Sequence, residues 1–143
     1  MVNESGKDQK ILVNGINLNY VDWGGQGKNV LLLHGLQDTA RNWDHIAQEL
    51  SKNYHVFALD ARGHGDSDWS PGNYQFEKYV DDVRAVLEKL DLKDTVLIGH
   101  SAGGKYAFSH VANDSSRVSG LVIIDMDPDA VNPGSGNMFV RYR

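Results

Sequence analysis

The spacing of apolar positions changes after Gly27, and the change divides the chain into two kinds of structure. Before it, Ile11–Val13 and Ile16–Trp23 have the composition of strands and flank Asn14-Gly15. Asn-Gly is typical of a tight hairpin turn because both residues accept positive φ. After Gly27, short apolar runs alternate with segments whose apolar residues recur every three or four positions. This pattern predicts an N-terminal β-hairpin followed by alternating strands and helices.

The apolar runs and periodic segments give the predicted elements. Strands are predicted at Val30–Leu33, His55–Leu59, Thr95–Ile98 and Val118–Ile124. Helices are predicted over Trp43–Leu50, over Phe76–Leu90 and from about Ala102 to about Val111. Continuous apolar strands that alternate with helices predict a mostly parallel α/β sheet with helices on both faces. In such sheets the functional loops follow the carboxyl ends of the strands.

Three segments are expected from the distribution of polar and turn-forming residues. Residues 1–10 are polar and predict a flexible tail, whereas residues 11–127 form the core. Residues 128–143 leave the last strand through a loop rich in Pro and Gly, which predicts the start of a lid or cap. We expect the C-terminal strands and most of the lid to lie outside these residues. The remainder of the same protein, or a complementing chain, is therefore the expected macromolecular partner.

Composition narrows the class of protein. A chain of 143 residues can bury a core of its own, and its net charge of −5 gives no reason to expect nucleic acid or anionic membrane as a partner. Cysteine is absent, which excludes disulfides and thiolate metal sites. The first ten residues lack the apolar segment of a signal peptide, and no apolar run approaches the roughly 20 residues that span a bilayer. We therefore expect a cytoplasmic protein.

Gly99-His100-Ser101-Ala102-Gly103 carries the strongest chemical signal in the chain. It fits Gly-x-Ser-x-Gly and lies between a predicted strand and a predicted helix, the context of a nucleophile elbow. A sharp turn there would present the Ser101 hydroxyl above the sheet. Glycine is needed at both ends because a Cβ would collide with neighbouring backbone. The alternative is a tight turn without chemistry.

A second loop, His34-Gly35-Leu36, follows the first parallel strand. A serine nucleophile requires an oxyanion hole, commonly built from two backbone N–H groups. In this arrangement Ala102, directly after the nucleophile, supplies one donor and Leu36 the other. The alternative is that His34 and Gly35 only turn the chain.

Three segments together resemble the α/β-hydrolase superfamily, and in particular its small bacterial esterases. They are His34–Leu36, Asp60–Ser67 (Asp-Ala-Arg-Gly-His-Gly-Asp-Ser) and Gly99–Gly104 (Gly-His-Ser-Ala-Gly-Gly). The likeness extends from Ile11 to Asp125. It implies the α/β-hydrolase fold and a structural role for the Arg-Gly-x-Gly part of the second segment.

The resemblance also implies a reaction class. Haloalkane dehalogenases and epoxide hydrolases of this superfamily have aspartate at the elbow, so Ser101 instead favours acyl transfer to water through an acyl-enzyme. We expect a small-molecule acyl substrate, with a carboxylic ester as the leading class, and no cofactor. No histidine has a second ligand at metal-binding spacing, so no metal is expected either. The alternatives are a lactonase, a carbon–carbon bond hydrolase, a perhydrolase, or a small-ligand binding protein with little turnover.

The remaining catalytic groups are harder to assign. In this fold the acid and then the histidine follow the serine along the chain. Asp125 ends the last predicted strand, 24 positions after Ser101, and is either the catalytic acid or a loop cap; Asp127 is a weaker candidate. No histidine follows Asp125, and His110 lies nine residues after Ser101 on a predicted helix, roughly on the opposite face. We therefore expect the base to lie outside these 143 residues, which alone would not be a competent catalyst.

Overall fold

Six strands and three α-helices make up the computed structural model, which describes residues 2–126. The strands are β1 (Val2–Val13), β2 (Ile16–Gly24), β3 (Asn29–Leu33), β4 (His55–Leu59), β5 (Thr95–His100) and β6 (Val118–Ile124). A 3-10 helix (Ala40–Trp43) precedes α1 (Asp44–Leu50), and α2 (Phe76–Lys89) and α3 (Ala102–Asn113) follow. Asp127 and the lid segment predicted over 128–143 lie outside the described residues.

The strands form one mixed sheet in the order β1-β2-β4-β3-β5-β6. β1, β2 and β4 are antiparallel neighbours, whereas β4, β3, β5 and β6 run parallel. Val13 pairs with Ile16 across the predicted hairpin turn, where Asn14 and Gly15 have φ of 50° and 80°. The predicted mostly parallel α/β sheet with an N-terminal hairpin is therefore confirmed.

The prediction of a flexible tail over residues 1–10 is wrong for the described residues, because β1 already begins at Val2. β2 continues to Gly24, and its length gives the polar residues a partner: Lys7 pairs with Asp22 and Lys10 with Asn19. A polar composition does not exclude this strand, because β1 lies at the edge of the sheet, where side chains stay in water and the backbone pairs with β2 on one side only.

Two apolar cores lie on opposite faces of the sheet because successive side chains of a strand point to opposite faces. In β3, Leu31 and Leu33 pack into the core beneath α2 and α3. Val30 and Leu32 pack into the second core, beneath the 3-10 helix and α1, with Trp43. This division confirms helices on both faces and places the carboxyl ends of β3, β4, β5 and β6 at one edge.

A buried ion pair fixes the loop after β4 to α2. Arg62 Nε and Nη2 donate to the two carboxylate oxygens of Asp82 at 2.6 and 2.7 Å. Asn14 Nδ2 donates to Asp82 Oδ1 at 2.9 Å, and Arg62 Nη1 donates to the Asn73 carbonyl at 2.8 Å. The hydrogen bond to the Asp82 carboxylate raises the pKa of Arg62. The pair of Arg62 and Asp82 thus connects α2, the hairpin turn and the loop after β4.

Candidate active site

Ser101 lies at the junction of β5 and α3 in a backbone conformation that side chains rarely adopt. Its φ is 51° and its ψ is −118°. Such a conformation costs a non-glycine residue about 1–3 kcal/mol, so the surrounding structure must enforce it. The Ser101 N–H donates to the Ile124 carbonyl at 3.0 Å, and the Ser101 carbonyl accepts from the Gly104 N–H at 2.9 Å. β6 and the first turn of α3 therefore hold the serine in place.

The glycines on either side of Ser101 allow α3 to start directly above the sheet. A Cβ on Gly99 would lie 2.5 Å from the Gly103 carbonyl carbon, and one on Gly103 would lie 2.2 Å from the Leu33 carbonyl oxygen. Ala102 is the first residue of α3, so its N–H has no acceptor within the helix and lies at the positive end of the helix dipole. This is the sharp strand-to-helix turn that the predicted nucleophile elbow requires, with one backbone donor at Ala102.

The His34-Gly35-Leu36 loop lies against the elbow. An ideal Cβ built on Gly35 would be 3.3 Å from Ser101 Cβ and 3.2 Å from His100 Nδ1. The Asp38 N–H closes a turn on the Gly35 carbonyl at 3.2 Å. The Leu36 side chain is 64% exposed, and within residues 2–126 its N–H donates no hydrogen bond. The loop thus lies beside Ser101, which is where the predicted oxyanion hole requires it.

His34 has both ring nitrogens occupied. Nε2 accepts from the Ala61 N–H at 3.0 Å, and Nδ1 donates to the Gly35 carbonyl at 2.7 Å. This arrangement requires a neutral ring protonated on Nδ1, and burial lowers the pKa of His34. His64 stacks obliquely on it with ring centroids 5.2 Å apart and donates from Nδ1 to the Arg62 carbonyl. His34 therefore joins two loops and has no nitrogen left to act as a base.

His100 lies between two carboxylates at the same edge of the sheet. Its Nδ1 is 3.8 Å from Asp38 Oδ2, and its Nε2 is 3.8 Å from Asp125 Oδ2. Asp125 directly follows β6, has a φ of 52°, and its side chain is 88% exposed. Since Ile124 bonds the Ser101 N–H, the structure brings the predicted nucleophile and the predicted acid to neighbouring strand ends.

A cleft of about 260 Å³ opens beside the elbow, on the face of the sheet that carries α1. Its walls are His34, Asp38, Asn42, Trp43, Ile46, His100 and Ile124. Asp38 and Asn42 are not among the candidate residues that the sequence indicates. The available signal was their position directly after the His-Gly-Leu loop, which places them beside the carboxyl end of β3.

The other histidines of the described residues have partners or positions away from the elbow. His55 Nε2 contacts Asp22 Oδ1 at 2.9 Å, and His45 is exposed on α1. His110 is buried in α3, and this burial lowers its pKa. Within residues 2–126, no cluster of three or more His, Cys, Asp or Glu side chains could hold a metal ion. The helices of that same stretch are too short or too polar to cross a membrane.

The buried histidines predict a stability that falls as the solution becomes mildly acidic. The pKa values of His34 and His110 lie below their ordinary value of 6.5 in the folded protein, because burial disfavours the charged ring. Below pH about 6.5 the unfolded chain therefore binds more protons than the folded one, and each group can cost up to about 1.4 kcal/mol per pH unit.

Urea unfolding measured from pH 7.5 to pH 5.5 (roughly one unit either side of 6.5) checks this expectation. The free energy of unfolding should decrease toward pH 5.5, and His110→Gln should make the decrease shallower. The lowered pKa values of Asp8 and Asp114 act only below their ordinary value of 3.8, outside this window. A flat wild-type profile would contradict the prediction.

Comparison with known proteins places the fold among α/β hydrolases. The sequence profile of the α/β hydrolase fold matches residues 28–140. The chain is 39% identical over 117 residues to a non-heme chloroperoxidase of Streptomyces lividans, covering 80% of this chain and 42% of that protein. It is 33% identical over 122 residues to an sn-1-specific diacylglycerol lipase of Mus musculus, covering 84% and 39%.

Solved structures agree with the sequence comparison. An epoxide hydrolase of Bacillus megaterium superposes with a TM-score of 0.78 at 33% identity, covering 82% of this chain and 42% of that one. The chain thus spans less than half the length of these relatives. Their names denote different reactions on one fold, so the substrate has to be argued from the residues themselves.

Proposed function

The chain belongs to the α/β-hydrolase fold family, and we propose that the protein is a serine hydrolase that cleaves carboxylic esters through Ser101. The observation that supports this most is the elbow itself. Ser101 is held at φ 51° at the start of α3, with Gly35 against its Cβ. A strained serine at a helix N-terminus is suited to attack an acyl carbon, and the neighbouring Leu36 N–H, which donates no hydrogen bond within residues 2–126, is suited to stabilise the resulting oxyanion.

The proposed reaction proceeds through an acyl-enzyme. Ser101 Oγ attacks the ester carbonyl and gives its proton to a histidine outside the described residues, which Asp125 orients. The N–H groups of Leu36 and Ala102 donate to the oxyanion of the tetrahedral intermediate. The intermediate collapses as the bond to the leaving oxygen breaks, and the histidine gives its proton to that oxygen to release the alcohol. Water, deprotonated by the same histidine, then attacks the ester carbon, and the proton returns to Ser101 Oγ as the acid leaves. The cleft beside the elbow, walled in part by Trp43 and Ile46, would receive an apolar part of the substrate.

Epoxide opening is disfavoured by the identity of the nucleophile. A carboxylate that opens an epoxide forms an ester, which water can hydrolyse to regenerate the enzyme. A serine hydroxyl that opened an epoxide would form an ether, which has no carbonyl for water to attack. Ser101 therefore argues against transferring the activity named for the Bacillus megaterium relative to this chain.

Perhydrolysis is a second candidate, favoured by the relative named as a non-heme chloroperoxidase. The same acyl-enzyme would react with hydrogen peroxide in place of water. The peroxide oxygen bonds to the acyl carbon, the bond from that carbon to Ser101 Oγ breaks, and the products are a peroxyacid and the regenerated hydroxyl. This route needs no metal, and it shares the nucleophile and oxyanion hole with ester hydrolysis.

Labelling of the full-length protein with a fluorophosphonate probe tests the proposed function. We expect the label on the peptide that contains Ser101, hydrolysis of p-nitrophenyl acetate and butyrate, and no diol from styrene oxide. Formation of peracetic acid from acetate and hydrogen peroxide would add the second activity. Labelling of a different residue, or styrene oxide hydrolysis without ester hydrolysis, would contradict the proposal.

A further inference from the structure

We propose that Asp60 is a positioning residue for the oxyanion hole, acting through the N–H of Ala40. The segment involved is residues 34–40, here called the oxyanion loop, which runs from the end of β3 to the start of the 3-10 helix. The inference rests on the proposed function insofar as this loop supplies an oxyanion donor to Ser101.

Asp60 is a buried carboxylate whose contacts are N–H groups. Its side chain is at the end of β4, and the residue is only 3% exposed. Oδ1 accepts from the Ala40 N–H at 2.7 Å, and Oδ2 accepts from Asn19 Nδ2 at 3.0 Å and from the Asp66 N–H at 3.1 Å. Within residues 2–126 no cationic side chain forms an ion pair with it. Charge-assisted hydrogen bonds in a buried setting are strong, so the carboxylate fixes Ala40 firmly.

The oxyanion loop is anchored at both ends to adjacent residues after β4. At its start, His34 Nε2 accepts from the Ala61 N–H at 3.0 Å. At its end, the Ala40 N–H donates to Asp60. Between these anchors, Leu36 is exposed and Gln37 has a φ of 66°, an unfavourable conformation for a residue other than glycine. The position of the Leu36 N–H therefore depends on the two anchors together with the turn that the Asp38 N–H closes on the Gly35 carbonyl between them.

An outer chain of contacts supports the same anchor. Asn19 Nδ2 donates to Asp8 Oδ1 at 3.0 Å as well as to Asp60. Asp8 in turn forms an ion pair with Arg41, the residue that follows Ala40. The middle of β1 therefore supports the oxyanion loop, because Asp8 completes a circuit of contacts from Asp60 back to the end of that loop.

Asp60→Asn in the full-length protein tests the inference, with Asp82→Asn as the matched control. Both changes remove one buried carboxylate, but Asp82 contacts Arg62 and Asn14 and not the loop. Asparagine at position 60 has a single side-chain oxygen and can accept hydrogen bonds only there. Its NH2 group would face at least one of the N–H groups that now donate to the carboxylate. We expect kcat per phosphonate-titrated serine to fall by about 10- to 100-fold, with KM within about threefold, because oxyanion donors act in the transition state.

The control distinguishes positioning from general destabilisation. Asp82→Asn should lower the melting temperature yet keep kcat per titrated serine within about twofold of wild type, since the site that survives is intact. An unchanged kcat in Asp60→Asn, or an equal loss in both variants, would overturn the inference.

Hydrogen exchange provides a readout that does not depend on ester hydrolysis. Amides of residues 35–40 should exchange faster in Asp60→Asn than in wild type, and not in Asp82→Asn; unchanged exchange overturns the inference. A further outcome is that the loop amides exchange faster in Asp60→Asn while the wild type has no Ser101-dependent esterase activity. In that case the proposed function fails and the positioning role of Asp60 stands. If Asp60→Asn does not fold, Asp8→Ala is the second variant, because Asp8 is partly exposed and pairs with Arg41. The amides of residues 38–41 should exchange faster in this variant, and unchanged exchange there would overturn the inference.

Discussion

Ser101→Ala in the full-length protein should lower kcat on p-nitrophenyl esters by about 10⁴-fold or more and abolish fluorophosphonate labelling. No other hydroxyl can take its place, because the attacking atom must lie at the elbow between the two backbone donors. The remaining activity would come from the oxyanion hole and substrate binding alone. Stopped-flow release of p-nitrophenol measures both the burst and the steady state.

Ser101→Gly gives a matched variant with an opposite effect on stability. Glycine accepts φ of 51° without strain, so this variant should be as inactive as Ser101→Ala but more stable than it, by about 1 kcal/mol. The two variants should be equally inactive but differ in melting temperature. This result would separate the chemical role of the Ser101 hydroxyl from the conformational strain that a non-glycine residue has at φ of 51°. A burst or labelling that persists in either variant would show that Ser101 is not the nucleophile.

Asp125→Asn should reduce kcat by about 10²- to 10⁴-fold while leaving the fold intact, because the base would lose the carboxylate that orients it. The side chain is 88% exposed and follows β6, so its replacement removes no core contact. Asparagine also tolerates the left-handed backbone found here, with φ of 52°. Steady-state kinetics with the thermal transition measured in parallel checks both parts.

Asp38→Asn is the control for that prediction. Asp38 and Asp125 each have a carboxylate oxygen 3.8 Å from a ring nitrogen of His100. Asp38, however, is part of the oxyanion loop and does not follow β6. Its replacement should cost less than about tenfold in kcat, since it has no proposed contact with the base. If Asp125→Asn costs less than tenfold as well, the acid belongs to a later strand and Asp125 is a loop cap.

The order of strands and helices in this protein follows from its sequence, because burial of one or both faces imposes a regular spacing on the apolar residues of each element. β4 and β6 occupy the predicted His55–Leu59 and Val118–Ile124, and α2 ends one residue before the predicted Leu90. Strands buried on both faces and a helix with one apolar stripe leave regular patterns that short windows reveal. The elbow is equally local: its glycines and serine are consecutive, so a strand–turn–helix context suffices to select it.

The contacts between segments that are far apart in the chain could be identified only from the tertiary structure. Whether residues 2–10 pair depended on how far β2 extends, and polar composition alone gave the wrong answer. His34 joins two loops because its Nε2 accepts from the Ala61 N–H, a contact over 27 positions that the sequence does not indicate. Asp60 reaches Ala40 and Asn19, 20 and 41 positions away, because the strand order places β4 between β2 and β3.

The sequence by itself therefore determined most of the elements and their mostly parallel arrangement, and it selected Ser101 as the proposed nucleophile, since each is encoded by residues close together in the chain. The tertiary structure decided which loop supports which, because hydrogen bonds between side chains and backbone of remote segments leave no periodic trace. The cleft beside Ser101 belongs to this second class: Asp38 and Ile124 line it together only because β3 and β6 both flank β5.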